Sequence, residues 1–242
     1  MVLLSKGRYR VIEAETADQI AHAMALRLRI FPVDAAGPDP YDQQCRHILI
    51  EDIATGEVVC TYRLRTVHTA GEVDDTYSAR YYGLGALRRF NAPMVELGRF
   101  CIDPDRCDGD ILRVAWGALT RIVDRDGVGM LFGCASFQGT DAAQHADAFA
   151  LLHARHEAPV RWRPRVKAPR IFQLASALRG PLDPRRAMAA MPPLLRTYLT
   201  MGGWVSDHAV VDEEMGTMHV FTGVEIRAIP PARQRLLRAV AV

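Results

Sequence analysis

The 242-residue chain is 49% hydrophobic and 24% charged, a balance that can bury a core and does not suit a disordered chain, and its length suits one domain, or one domain plus a lobe. No stretch reaches the ~18 consecutive apolar residues of a membrane span, and residues 1–10 hold no signal-peptide core, so a cytoplasmic location is expected. The five cysteines (Cys45, Cys60, Cys101, Cys107, Cys134) are odd in number and form no C-x-x-C pair, which argues against a disulfide framework or a structural zinc and predicts buried thiols.

Apolar and polar residues alternate over 9–13, predicting a first strand. Thr16-Ala17-Asp18-Gln19 is a capping box that opens an amphipathic helix to about Phe31. Pro32, Gly37, Pro38 and Pro40 interrupt regular structure until Tyr41. Strands over 46–52 and 57–67 flank the hairpin signal Thr55-Gly56, and an irregular aromatic stretch (Tyr77, Tyr81, Tyr82) follows. After a strand over 94–102, a helix is predicted over 110–126, apolar at Ile111, Val114, Ala115, Ala118, Leu119 and Ile122 and ended by Gly127. Residues 128–135 read as a buried strand. Thr140-Asp141 caps a helix to about His156, and a basic, proline-rich segment comes next. A helix near 183–201, interrupted by Pro192-Pro193, precedes strands over 209–211 and 218–224 and a last helix from Pro230. This order predicts an α/β protein of three layers with a mixed sheet.

The strand over 94–102 carries two opposite charges in an apolar setting. Glu96 and Arg99 would point to opposite sides of a regular strand. Gly98 between them is the residue type that marks a bulge or a close backbone approach, and a bulge would bring both charges to one side. The strand runs into a loop holding Asp103, Asp105, Asp108 and Asp110 with a single Arg106.

Charge is unevenly spread. Residues 158–206 hold nine basic residues (Arg161, Arg163, Arg165, Lys167, Arg170, Arg179, Arg185, Arg186, Arg196) and one acid, Asp183, a local +8 within a chain of net charge +2. Such a patch suits an anionic partner. Several motifs carry no chemistry. His47 and Asp52 form H-x-x-x-x-D, but on a strand they face opposite ways ~17 Å apart. His153-x-x-His156 has no third ligand, Gly133-Cys-Ala-Ser136 lacks the second glycine of a nucleophile elbow, and there is no P-loop or dinucleotide fingerprint.

The charged strand feeding a helix N-terminus resembles the GNAT N-acyltransferase superfamily. Glu96-Leu-Gly-Arg99, Leu131-Phe-Gly-Cys-Ala-Ser-Phe137 with Gly139-Thr-Asp141, Pro192-Pro-Leu-Leu-Arg-Thr-Tyr198, and Ala209-Val-Val-Asp212 with Gly216-Thr217 resemble one branch, the bacterial L-ornithine Nα-acyltransferases. The N-terminal half is also similar to acyl-homoserine-lactone synthases, which share the Glu-x-x-Arg strand. The resemblance implies a GNAT-like three-layer α/β/α fold with a mixed, splayed central sheet. Residues 1–157 would form the acyltransferase core, and the basic part 158–242 would complete the sheet and meet carrier protein or membrane.

It further implies transfer of a 3-hydroxyacyl chain from acyl carrier protein to the α-amine of L-ornithine. The carrier's phosphopantetheine thioester would be co-substrate, with no other cofactor, no metal and no nucleic acid. Glu96 would be the general base, its proton affinity raised by partial burial. Arg63, Arg65 and Arg99 would meet the amino-acid carboxylate, with Asp42 and Ser136 also on the substrate side. Phe100, Cys101, Ile102 and Gly109 would hold the acyl-phosphopantetheine, a strand N–H near Phe100 donating to the thioester oxygen. The acidic loop would repel the pyrophosphate of coenzyme A, favouring carrier protein as donor. Arg161, Arg163, Arg165 and Lys167 would contact that acidic carrier, and Arg185 and Arg186, flanking an apolar run, would meet an anionic membrane on its cytoplasmic face. The stretch 31–40 reads as short of acids, and Cys45-Arg46 stands where another acid is expected. A neutral acceptor such as glutamine is therefore an alternative, as are an acyl-homoserine-lactone-synthase-like enzyme and a non-catalytic binding module.

Overall fold

A computed structural model describes residues 1–31, 34, 37, 39–106, 108–178 and 182–242; Pro32, Pro38, Cys107 and Arg179, on which expectations fell, lie outside the described residues. The elements in chain order are β1 (Val2–Lys6), β2 (Tyr9–Glu13), α1 (Ala17–Ile30), β3 (Arg46–Asp52), β4 (Val58–Val67), α2 (Tyr77–Tyr81), β5 (Tyr82–Gly83), β6 (Met94–Ile102) and α3 (Gly109–Asp126). Then follow β7 (Met130–Gln138), α4 (Ala146–Arg155), β8 (Arg165–Val166), β9 (Ile171–Gln173), α5 (Pro184–Ala189), α6 (Pro193–Thr200), β10 (Trp204–Asp212), β11 (Thr217–Glu225) and α7 (Pro231–Val240).

Local chemistry explains most boundaries. The Thr16 hydroxyl accepts from the Gln19 N–H at 3.3 Å while the Gln19 side chain takes the Thr16 N–H, so the first turn of α1 is closed reciprocally. Asp108 caps α3, and Gly127 ends it at φ 62°, where a β-carbon would be strained. Prolines open both α5 and α6, where a missing N–H costs nothing.

Three expectations change. β1 was not anticipated: Leu3 and Leu4 are both buried and the pairing with β2 shifts register between Val2 and Leu4, so alternation is lost. The aromatic stretch is not irregular: Thr76 accepts from the Ala79 N–H and starts α2, which leads into β5. The proline-rich basic segment contains β8 and β9.

The chain divides into two compact units. The first comprises Met1–Thr66, Val95–Gly129 and Pro230–Val242. Its strands neighbour one another in the order β1-β2-β3-β4-β6, with β1 to β4 antiparallel, and α3 buries its predicted stripe from Ile111 to Ile122. The second comprises Val67–Met94 and Met130–Ile229. Its strands β7-β11-β10-β9 are all antiparallel, and its core gathers Tyr82, Phe132, Trp204 and Phe221. Among the described residues no helix is long and apolar enough to cross a membrane.

Candidate active site

In the first unit the β3–β4 register sets His47 opposite Arg63. Arg63 and Arg65, two apart on β4, share a face. β6 lies beside β4, and Asp103 at its end donates its N–H to the Val59 carbonyl. Glu96 on β6 is only 5% exposed.

Six charged side chains close a ring. Arg27 holds Asp34 and Asp42, both at 2.7 Å. Asp42 meets Arg63 at 2.6 Å, and Arg63 meets Asp39 at 2.9 Å. Arg99 completes the circuit, 2.9 Å from Asp39 and 3.2 Å from Asp34. Each aspartate bridges two guanidiniums and the charges of the six sum to zero, which is how buried ions are tolerated. Burial pushes the Asp42 carboxyl up, but hydrogen bonds from Arg27 and Arg63 outweigh it and hold the group below the usual carboxylate range. Burial likewise works against the Arg63 cation, and Asp39 and Asp42 more than offset it.

The left-handed residue of β6 is Arg99 and not Gly98. Arg99 adopts φ 50°, the one positive φ outside glycine among the described residues, at a cost on the order of 1 kcal/mol. Its two aspartates and the Phe31 ring, 5.4 Å from the guanidinium carbon, hold it there. Gly98 serves as a close approach, one of the two roles expected of it, with the Arg63 side chain against it.

Cys45 marks where the remaining groups converge. Burial pushes its thiol up to about 11, with Arg63, Glu96, Asp42 and Arg65 all acting on it. Arg65 donates to the Gln44 side-chain oxygen and, unlike Arg63 and Arg99, has no carboxylate partner among the described residues. His47 sits 3.1 Å from the Asp42 carbonyl, whereas Asp52 holds Arg8 at 2.5 Å, so the two ends of H-x-x-x-x-D do separate work. The ring brings in Arg27, Asp34 and Asp39, which sequence reading did not single out. The signal available was an arginine on the inward face of α1, beside Ala23 and Leu26, and the stretch read as short of acids supplies two of the three aspartates.

Further along β6, Phe100 stacks on Tyr62 with centroids 5.4 Å apart, Cys101 is buried with its thiol pushed up to about 12, and Ile102 is half-buried. Gly109 begins α3. The acidic loop is partly neutralised: Arg29 reaches Asp103 at 3.2 Å and Asp105 at 2.8 Å, Arg113 meets Asp110 at 3.1 Å, and Asp108 both caps the helix and accepts from Tyr9 at 2.5 Å.

The other predicted residues lie in the second unit. Ser136 is exposed near the end of β7. Arg161 pairs with Glu225 at 3.1 Å and Arg163 with Glu157 at 3.2 Å. Lys167 donates to the Ala79 carbonyl at 2.5 Å. Arg165 is exposed and has no ion-pair partner among the described residues. His153 meets Glu157 at 2.5 Å, a local pair.

Residues 8–117 match the family model of the acetyltransferase (GNAT) domain. The L-ornithine N(alpha)-acyltransferase of Rhodobacter capsulatus is 33% identical over 238 residues, covering 91% of this chain and 91% of its own. The enzyme of that name from Brucella abortus is 30% identical, covering 92% and 87%. A solved acyl-homoserine lactone synthase, BjaI, aligns over 95% of this chain and 86% of its own at 12% identity and TM-score 0.46. With a GNAT-like α/β fold and relatives this similar along nearly its whole length, the chain is an acyltransferase that belongs to the L-ornithine N(alpha)-acyltransferase family.

Proposed function

We propose that this protein moves a 3-hydroxyacyl chain from acyl carrier protein to the α-amine of L-ornithine, the first step of ornithine lipid synthesis. The observation that carries the reading is Glu96, a buried carboxylate on β6 that shares the surroundings of Cys45 with Arg65. In the mechanism, the amine lone pair attacks the thioester carbon, and the carbonyl oxygen becomes an oxyanion that the Phe100 N–H region stabilises. Glu96 takes the proton the amine gives up. The C–S bond then breaks, and the carrier's sulfur leaves as the thiol, taking the proton that Glu96 received from the amine. Arg65 receives the amino-acid carboxylate in a bidentate pair, since Arg63 and Arg99 already carry two aspartates each.

The carrier protein meets the basic segment around Arg165, and the enzyme works at the inner face of the cytoplasmic membrane, where its amphiphilic product belongs. One observation favours a second reading, the same reaction on a neutral acceptor such as glutamine: Asp34, Asp39 and Asp42 are each already shared by two arginines. Purified protein incubated with 3-hydroxyacyl carrier protein and each amino acid in turn, read by mass spectrometry, decides between them. A 3-hydroxyacyl-ornithine product supports the first reading, and a product formed only with glutamine would replace it by the second.

A further inference from the structure

Gly98 and Arg99 are neighbours on β6, yet the arginine takes the left-handed backbone, at φ 50°, and the glycine does not. Local preference assigns them the other way round, because glycine enters that region freely and a β-carbon is disfavoured there. A conformation of this kind persists only where the surrounding structure imposes it, and such residues gather at functional sites.

What imposes it acts on the side chain. The Arg99 guanidinium lies 2.9 Å from Asp39 and 3.2 Å from Asp34, with the Phe31 ring 5.4 Å from its central carbon. Its side chain is 9% exposed and both aspartates are 7% exposed, so these pairs are little screened. Arg27 and Arg63 hold the same two aspartates from the other side. All of these groups belong to the first unit. A left-handed residue inside a strand is the geometry of a bulge, which bends the strand and frees part of it from the ladder. Here it falls directly before Phe100, whose N–H region meets the oxyanion in the reaction proposed above.

We infer that Asp34 and Asp39 are positioning residues: acting through the Arg99 guanidinium, they keep β6 left-handed at position 99 and so set the Phe100 N–H for the oxyanion. The inference rests on the proposed acyl transfer for what that N–H meets, whereas the hold on Arg99 rests on the ion pairs alone. No substrate contact is asked of either aspartate.

Arg99→Gly and Arg99→Ala separate backbone from charge. Both remove the guanidinium and leave the same two aspartates short of a partner, but glycine reaches a positive φ without strain and alanine does not. The kcat of Arg99→Gly is expected to be about tenfold above that of Arg99→Ala, with the KM of each substrate alike in the two variants. Equal kcat values overturn the inference, since the lost charge would then account for both.

Asp39→Asn keeps Arg99 itself and serves where the first two variants do not fold. The backbone carbonyl and Cα chemical shifts of Arg99, which report φ, should move from left-handed towards extended values, and kcat should fall with KM unchanged. Shifts that stay at their wild-type values overturn the hold, and shifts that move with kcat unchanged overturn the positioning role. The shifts need no turnover: if the wild type acylates nothing, the proposed reaction fails on its own, and they still decide whether the aspartates hold Arg99.

Discussion

Gly98 lies against the side chain of Arg63: a β-carbon at position 98 would stand 3.3 Å from its Nε and 3.6 Å from its Cγ. Glycine is needed here for room. Its backbone is not left-handed; Arg99 next to it takes that conformation. The pair couples the sequence Glu-Leu-Gly-Arg on β6 to the charged ring, because Arg63 must pass over Gly98 to reach Asp39 and Asp42.

Gly98→Ala is expected to displace Arg63 by a few tenths of an ångström and to cost about 1–3 kcal/mol, as overpacking does. Urea unfolding of the two proteins measures it. A loss within error of zero would mean that Arg63 shifts freely and that the ring tolerates it.

Glu96→Gln keeps size and hydrogen-bonding capacity but cannot take a proton from the amine. Turnover is expected to fall about 10²–10⁴-fold, the usual worth of a general base, with circular dichroism unchanged. A variant retaining more than half the wild-type rate would leave Glu96 as a structural partner only.

Asp42 gives a pH signature. Its folded pKa is depressed by Arg27 and Arg63 against the push of burial, so its stabilisation is present above the unfolded value of about 4 and is lost as pH falls through the folded value. The urea midpoint of the wild type should therefore drop below about pH 4. Asp42→Asn should be less stable at neutral pH by about 3 kcal/mol, the lower end for breaking a buried pair, and its stability should vary less with pH in that acid window. Parallel slopes for the two proteins would assign the acid sensitivity to other carboxylates.

Arg165→Glu should raise the Michaelis constant for acyl carrier protein several-fold and make it less salt-dependent, as changes to a rim charge do. Arg161→Ala should have the smaller effect, since Arg161 is already paired with Glu225. Steady-state kinetics at two salt concentrations reads both. The reverse order would move the docking face away from Arg165.

Local interactions made much of this protein legible without coordinates. The capping box at Thr16 and the apolar stripe of α3 act within a few residues, and the strand over 94–102 needs only its own composition, so these elements lie where sequence reading put them. Glu96 could be singled out because a carboxylate within an apolar strand needs a reason to be there. β1 escaped because its register shift erased the two-residue period on which strand reading depends. What only the tertiary structure decided is which charges meet. Arg27, the three aspartates, Arg63 and Arg99 come from α1, the loop after it, β4 and β6, and chain order says nothing about a ring that closes through space. The same holds for the basic segment. Its local charge of +8 looked unopposed, but Glu225, Glu213 and Asp147 from other parts of the chain fold against Arg161, Arg170 and Arg186. Coulomb energy depends on distance in space, which sequence separation does not report.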